Sequence, residues 1–179
     1  MAYDLSSFKK ATEEKIQWLK QELQGIRTGR ATAALLDAVV LEVYGANVHL
    51  QEIASLNVED ARTMYISPWD KDQMKAIEKA VTVADLGVSV GSDEKGVRVS
   101  FPELSSERRQ QLIKLARAKL EDARVAVKNG RTKAIADIEK SELSEDETKR
   151  LKAEVQKIVD EVNATLGAVT AQKEKDLTA

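Results

Sequence analysis

Cysteine is absent and histidine occurs once, at His49. Disulfides, thiolate chemistry, structural zinc clusters and Cys/His nucleophile pairs are therefore excluded. His49, in Val48-His49-Leu50, reads as a strand or turn residue rather than a metal ligand. Aromatics make up only 4% of the chain, with two Pro and eight Gly, while charged residues reach 32%. That mixture, rich in Ala, Glu, Lys, Leu and Arg, favours long helices over sheet. No apolar run approaches the roughly 18 residues of a membrane span. The start, Met1-Ala2-Tyr3-Asp4, lacks the basic and apolar regions of a secretory signal, so a cytoplasmic protein is expected.

The net charge of −2 argues against a nucleic-acid binder only as an average. Residues 30–104 hold seven basic groups against twelve acidic, whereas residues 108–133 hold nine basic against two acidic. Residues 137–161 reverse the balance, with five basic against nine acidic. A strongly basic stretch is thus embedded in a mildly acidic chain.

Apolar or small side chains at Leu5, Phe8, Thr12, Ile16, Leu19, Leu23 and Ile26 recur at steps of three and four, which predicts a helix ending near Gly29. From Asp37 the pattern turns β-branched. Short strands are predicted at Val39–Val43, Val48–Leu50, Thr63–Ile66 and Val97–Phe101, with a turn around Tyr44-Gly45-Ala46-Asn47. Lys71–Ala84 reads as a helix, and Gly87–Gly96 as a loop. After Pro102, Ser105 or Ser106 caps a long helix whose stripe is Leu112, Ala116, Leu120, Ala123, Val127, Ala134 and Ile138. Gly130 stands where an apolar residue is expected. Ser144-Glu145-Asp146-Glu147 is a capping box before a third stripe, Leu151, Val155, Ile158, Val162, Leu166 and Val169.

Three narrow stripes cannot be stable singly in water, so they are expected to pack as a three-helix bundle, the last two helices antiparallel. The fold class is α+β, mainly α. Residues 1–30 and 105–179 form the bundle, and residues 31–104 form an inserted small β/α domain. Two short covalent crossings join them, at Arg30-Ala31-Thr32 and Pro102-Glu103-Leu104. These six residues are the expected hinge.

At 100° per residue, Lys114, Arg117, Glu121, Arg124, Lys128 and Arg131 fall within a sector of roughly 100° on the second long helix, away from its apolar stripe. A solvated face with intrahelical ion pairs would explain such a sector, each pair contributing at most a few tenths of a kcal/mol. Only one acid accompanies the five bases, however, which favours an anionic partner. Three of the five are Arg, the residue suited to bidentate phosphate contacts. Neither a phosphate-binding Gly-rich loop nor a catalytic set is present, so the protein is expected to be no enzyme and to need no cofactor or metal.

Nine segments, in order and spacing, resemble the ribosome recycling factor family: Arg27-Thr28-Gly29-Arg30-Ala31, Val43-Tyr44-Gly45, Val58-Glu59-Asp60-Ala61-Arg62, Ala84-Asp85-Leu86-Gly87, Val97-Arg98-Val99, Leu104-Ser105-Ser106-Glu107-Arg108-Arg109, Arg124-Val125-Ala126-Val127-Lys128-Asn129, Ser144-Glu145-Asp146-Glu147 and Lys173-Glu174-Lys175. The resemblance covers the whole chain. It implies an L shape like a transfer RNA and a bundle that docks on large-subunit ribosomal RNA. It further implies action with elongation factor G and GTP to split the ribosome after termination. RNA contacts carry over to Arg27, Arg30, Arg124 and Arg131, and the helical face adds Lys114, Arg117 and Lys128. The chain departs from the family pattern at Lys128 (usually Arg), Gly130, Thr132-Lys133 and Glu103, and its link between the last two helices is shorter. A monomer without membrane contact is expected. Two other functions remain open: a ribosome-bound inhibitor or hibernation-type factor on the same RNA, and a helical adaptor whose basic face meets an acidic protein.

Overall fold

A computed structural model describes residues 3–179; Met1 and Ala2, where the expected absence of a signal begins, lie outside the described residues. The chain forms two compact units, one of residues up to Leu23 together with Gln110–Thr178, the other of Gln24–Arg109. The divisions fall at Leu23/Gln24 and Arg109/Gln110, several residues from the expected 30/31 and 104/105. None of the described helices is long and apolar enough to cross a membrane.

The first unit is built on three helices: α1 (Ser6–Gln24), and two more that follow the inserted segment, Ser106–Lys140 and Glu145–Thr178. α1 stops at Gln24, short of the expected Gly29, and Gly29 does not take the positive φ of a helix-closing glycine. The nearer cause is Gly25, since a glycine inside a helix costs about 1 kcal/mol relative to Ala. Ile26 is buried as expected, but in the second unit.

In the second unit, α2 (Ala33–Leu36), β1 (Val40–Val43), β2 (Ala46–His49), α3 (Leu50–Ile53), β3 (Ala54–Asp60), β4 (Thr63–Pro68), a 3₁₀ turn (Lys71–Gln73), α4 (Met74–Val83), β5 (Ser89–Ser92) and β6 (Val97–Ser100) follow in order. β1 and β2 form a hairpin closed by Tyr44 and Gly45, both at positive φ (51° and 79°), the two-residue turn that matches strand twist. The other strands make an antiparallel sheet in the order β3-β4-β6-β5. Met64 lies opposite Val99 and Ile66 opposite Val97, all four fully buried, while the alternate Arg98 points outward. Ile77 and Val81 of α4, Leu36, Leu50 and Phe101 complete that core.

Two strands went unpredicted. β3 and β5 are the sheet's edges, and in β3 only Ala54 is buried while its last four residues are exposed. β5, inside the expected Gly87–Gly96 loop, has one half-buried residue, Val90. Edge strands carry little of the apolar alternation by which a strand is read.

The long helices are α5 (Ser106–Lys140) and α6 (Glu145–Thr178). Ser105 caps α5: its hydroxyl accepts the Arg108 N–H at 3.1 Å and its carbonyl the Arg109 N–H at 2.9 Å. At α6 the capping box is formed, Ser144 Oγ accepting the Glu147 N–H and Glu147 Oε2 the Ser144 N–H, each at 3.2 Å. Side-chain ties Arg117–Glu174, Arg131–Gln156 and Lys152–Glu139 run in opposite directions along α5 and α6, so the pair is antiparallel. α1 lies beside both through Lys119–Glu22 and Lys9–Glu154.

The buried residues of α5 are Leu112, Ala116, Ala123, Val127, Ala134 and Ile138, and those of α6 include Leu151, Val155, Val159, Val162, Leu166 and Thr170. Leu120, Ile158 and Val169, expected in the stripes, are only half-buried. In both helices each buried residue recurs eleven positions on: Leu112 with Ala123 and Ala134, Ala116 with Val127 and Ile138, Leu151 with Val162, Val159 with Thr170. The same spacing links Leu5 to Ile16, Phe8 to Leu19 and Thr12 to Leu23 around α1. Eleven residues in three turns is 3.67 per turn, close to an unsupercoiled helix. The buried stripe runs through Val159 and Thr170, one residue further round the helix than the expected Ile158 and Val169.

Candidate nucleic-acid interface

The α5 face carries Lys114, Arg117, Glu121, Arg124 and Lys128, all exposed, and Arg131, half-buried. Intrahelical ion pairs, the alternative to an anionic partner, do not form on this face, and Glu121 has no cation within ion-pair distance among the described residues. Arg117 reaches across to α6 instead, its Nε 2.6 Å and Nη2 3.2 Å from the two Glu174 carboxylate oxygens. The hydrogen bonds to Arg117 hold the Glu174 carboxyl below the usual glutamate range, and the same bonds raise the guanidinium's own affinity for its proton.

Arg131 gives its Nε–H to Gln156 Oε1 at 2.7 Å, and Gln156 in turn donates to Asp160 Oδ1 at 2.9 Å. The bond fixes the guanidinium plane through its inner nitrogen and leaves the outer pair for a ligand. The side chains of Arg124, Lys128 and Lys114 have no hydrogen-bond or ion-pair partner among the described residues. Arg124 lies over Gly167, where a Cβ would stand 3.4 Å from its Nη2. A cleft of 310 Å³ is lined by Glu121, Arg124, Val125, Lys128, Arg131, Val159 and Asn163. Next to it a cleft of 410 Å³ runs from Arg117 to Arg124 along Gly167 and Glu174. In the first, Asn163 Oδ1 is buried without a partner.

Lys119, in the same basic stretch, serves the bundle: it pairs with Glu22 at 3.2 Å and stands 6.0 Å from the Trp18 ring. Arg27 and Arg30 lie off the helix, in the second unit. Arg30 is exposed. Arg27 is half-buried, donates from Nη2 to the Pro102 carbonyl and sits 6.0 Å above the Phe101 ring. The residues expected to form a hinge are held in that same unit: Ala31 donates its N–H to the Ala61 carbonyl at 2.8 Å, Thr32 caps α2, and Glu103 pairs with Arg62.

The α6 residues beside this face, Gln156, which holds Arg131, and Asn163, Gly167 and Glu174, which line the clefts, are not evident from the sequence. Their only trace is the Lys173-Glu174-Lys175 motif, because partners across an antiparallel pair are found only once the register is known. His49 sits before α3, its N–H donating to Glu52 Oε2 at 2.6 Å and its Nδ1 3.3 Å from the Asp37 carbonyl. No cluster of three His, Asp or Glu able to hold a metal exists among the described residues.

Three helices that leave Lys114, Arg124 and Lys128 without acidic partners among the described residues on one exposed face, joined to a small β/α unit, define a helical protein with an anion-binding surface. The profile described as ribosome recycling factor matches residues 19–178. The ribosome-recycling factor of Thioalkalivibrio sulfidiphilus is 42% identical over 92% of this chain and 91% of its own length. That of Symbiobacterium thermophilum is 40% identical over 92% and 91%. The solution structure of a ribosome recycling factor superposes with a TM-score of 0.82 at 32% identity, covering 99% of both chains. A structure of the T. thermophilus ribosome recycling factor, from an assembly with E. coli elongation factor G on the E. coli post-termination complex, gives a TM-score of 0.67 at 37% identity over 98% of this chain and 97% of that one. The chain belongs to the ribosome recycling factor family.

Proposed function

We propose that this protein binds the post-termination ribosome in the cytoplasm and, with elongation factor G and GTP, promotes splitting of the subunits and release from the messenger. The observation that carries the docking part is the α5 face, where Lys114, Arg124 and Lys128 have no acidic partner among the described residues and Arg131 is oriented by Gln156. Cations left unpaired on a rigid helix are placed for the phosphates of large-subunit ribosomal RNA, whose ions they displace on binding. Arg30 is exposed and adds a contact from the first crossing segment. Arg117 contributes only when it leaves Glu174. The GTP belongs to the partner, and the second unit is the part that the partner moves.

The test is light scattering of post-termination ribosomes after mixing with this protein, elongation factor G and GTP. Scattering should fall as subunits separate. Binding to large subunits without splitting would instead make the protein an inhibitor or hibernation-type factor. Failure to bind them at low salt would leave only an adaptor for an acidic protein.

A further inference from the structure

We infer that Arg27 is a positioning residue that ties the two chain crossings into one piece of the second unit, and is not a phosphate ligand. Its Nη2 donates to the carbonyl of Pro102 on the other crossing, and its guanidinium covers the Phe101 ring at 6.0 Å. Its Cδ lies 3.8 Å from the place of a Cβ on Gly87, which has a φ of 72°, so the stem packs against the loop before β5. Its Nε is buried without a partner. Burial, and to a lesser degree the Arg108 cation, makes the proton easier to remove than from a free guanidinium. A phosphate ligand needs its fork turned to solvent, whereas here one arm is bonded inward and the inner nitrogen is covered.

Two backbone bonds complete the tie. Ala31 on the first crossing donates to the Ala61 carbonyl at 2.8 Å, and Phe101 on the second donates to the adjacent Arg62 carbonyl at 2.7 Å. Both crossings thus end on neighbouring residues of the β3–β4 turn, and Arg27 bridges them on the side chain's account. Residues 27–32 and 101–102 then move as one rigid piece with the second unit. Bending is confined to bonds outside them, at Gln24–Gly25 and from Leu104 onward. For its functional consequence this inference rests on the recycling reading; its structural part does not.

The full-length variants Arg27→Ala and Arg27→Lys test it, by amide hydrogen exchange at Ala31 and Phe101, by affinity for purified large subunits across a salt series, and by subunit splitting. In Arg27→Ala both amides should exchange at least tenfold faster, the salt dependence of binding should stay as in the unmodified protein, and splitting should slow several-fold. Arg27→Lys, which keeps a donor of similar reach, should bring exchange and splitting back towards the unmodified protein, and it decides the matter if the Ala variant fails to fold. A logarithmic salt slope lower by about 0.7–0.9, the loss of one phosphate, with exchange unchanged, would overturn the inference. Unchanged exchange with unchanged binding would overturn it equally. Unmodified protein that fails to split subunits would overturn the recycling reading, and the exchange rates would still decide for or against the tie.

Discussion

Arg131 on α5 is held by Gln156 on α6, Nε to Oε1 at 2.7 Å, so the cation is aimed by a neutral group and its charge is not cancelled. Arg131→Ala should weaken binding to large subunits by about 1–3 kcal/mol, the scale of a lost charge-assisted contact. Its stability should change by less than about 0.5 kcal/mol. Arg131→Lys should recover part of the affinity, and Lys75→Ala on α4 should leave it unchanged. Equilibrium binding with the three variants checks this; an Arg131→Ala protein that binds as tightly as the parent removes α5 from the docking surface.

Salt separates free cations from paired ones. Affinity for the large subunit should fall steeply as monovalent salt rises, and the logarithmic slope should shrink by about 0.7–0.9 for each of Arg124→Ala and Lys128→Ala. Sedimentation across a salt series measures it. A flat salt dependence would exclude electrostatic docking.

Arg117 is the opposite case, since Glu174 occupies its fork. Glu174→Gln should free it, giving tighter ribosome binding and a slope steeper by about one phosphate. The carboxyl's proton affinity is lowered on folding, chiefly by the bonds from Arg117. The stability it contributes is therefore present above the unfolded-state value and is lost as pH falls through the folded one. The stability difference between the parent and Glu174→Gln should be largest near neutrality and shrink as pH falls below the usual glutamate range. Denaturant melts over a pH series test it, and a difference that grows in acid would contradict the assigned pair.

Gly130 faces the Phe8 ring, and a Cβ placed there would meet Phe8 Cε2 at 3.6 Å, an ordinary contact. Gly130→Ala should raise stability by about 0.5–1 kcal/mol through reduced freedom of the unfolded chain, with ribosome affinity unchanged. Thermal unfolding is the measurement, and a lowered midpoint would mean that the Phe8 ring cannot share that space.

The α5 face and both caps were legible because helix periodicity and cap chemistry are local: Ser105, Ser144 and Glu147 act within three or four residues of sequence. So was the turn at Tyr44-Gly45. What was not legible depends on partners distant in sequence. Glu174 and Gln156 divide the basic face into one neutralised and one oriented arginine, and neither is close to α5 along the chain. Arg27 carried the same family motif as Arg30, yet only the fold shows one turned onto Pro102 and the other exposed. Val159 and Thr170 are buried where Ile158 and Val169 were expected, because apolar steps of three or four leave two adjacent positions open on a helix and only its packing partners decide between them.

That eleven-residue recurrence makes the bundle a ruler with a fixed graduation. Each block adds three whole turns and about 16 Å and returns every side chain to the same bearing around its axis. Lengthening α1, α5 and α6 together by one block would lengthen the bundle without rotating the cationic strip relative to the core. Lengthening by seven residues, at the same 3.67 residues per turn, would swing that strip by roughly 33°. Reach and facing are thus separately adjustable in this architecture, and the distance spanned from one end of the helices to the other is a property that insertions can change in steps while the docking surface keeps its aim.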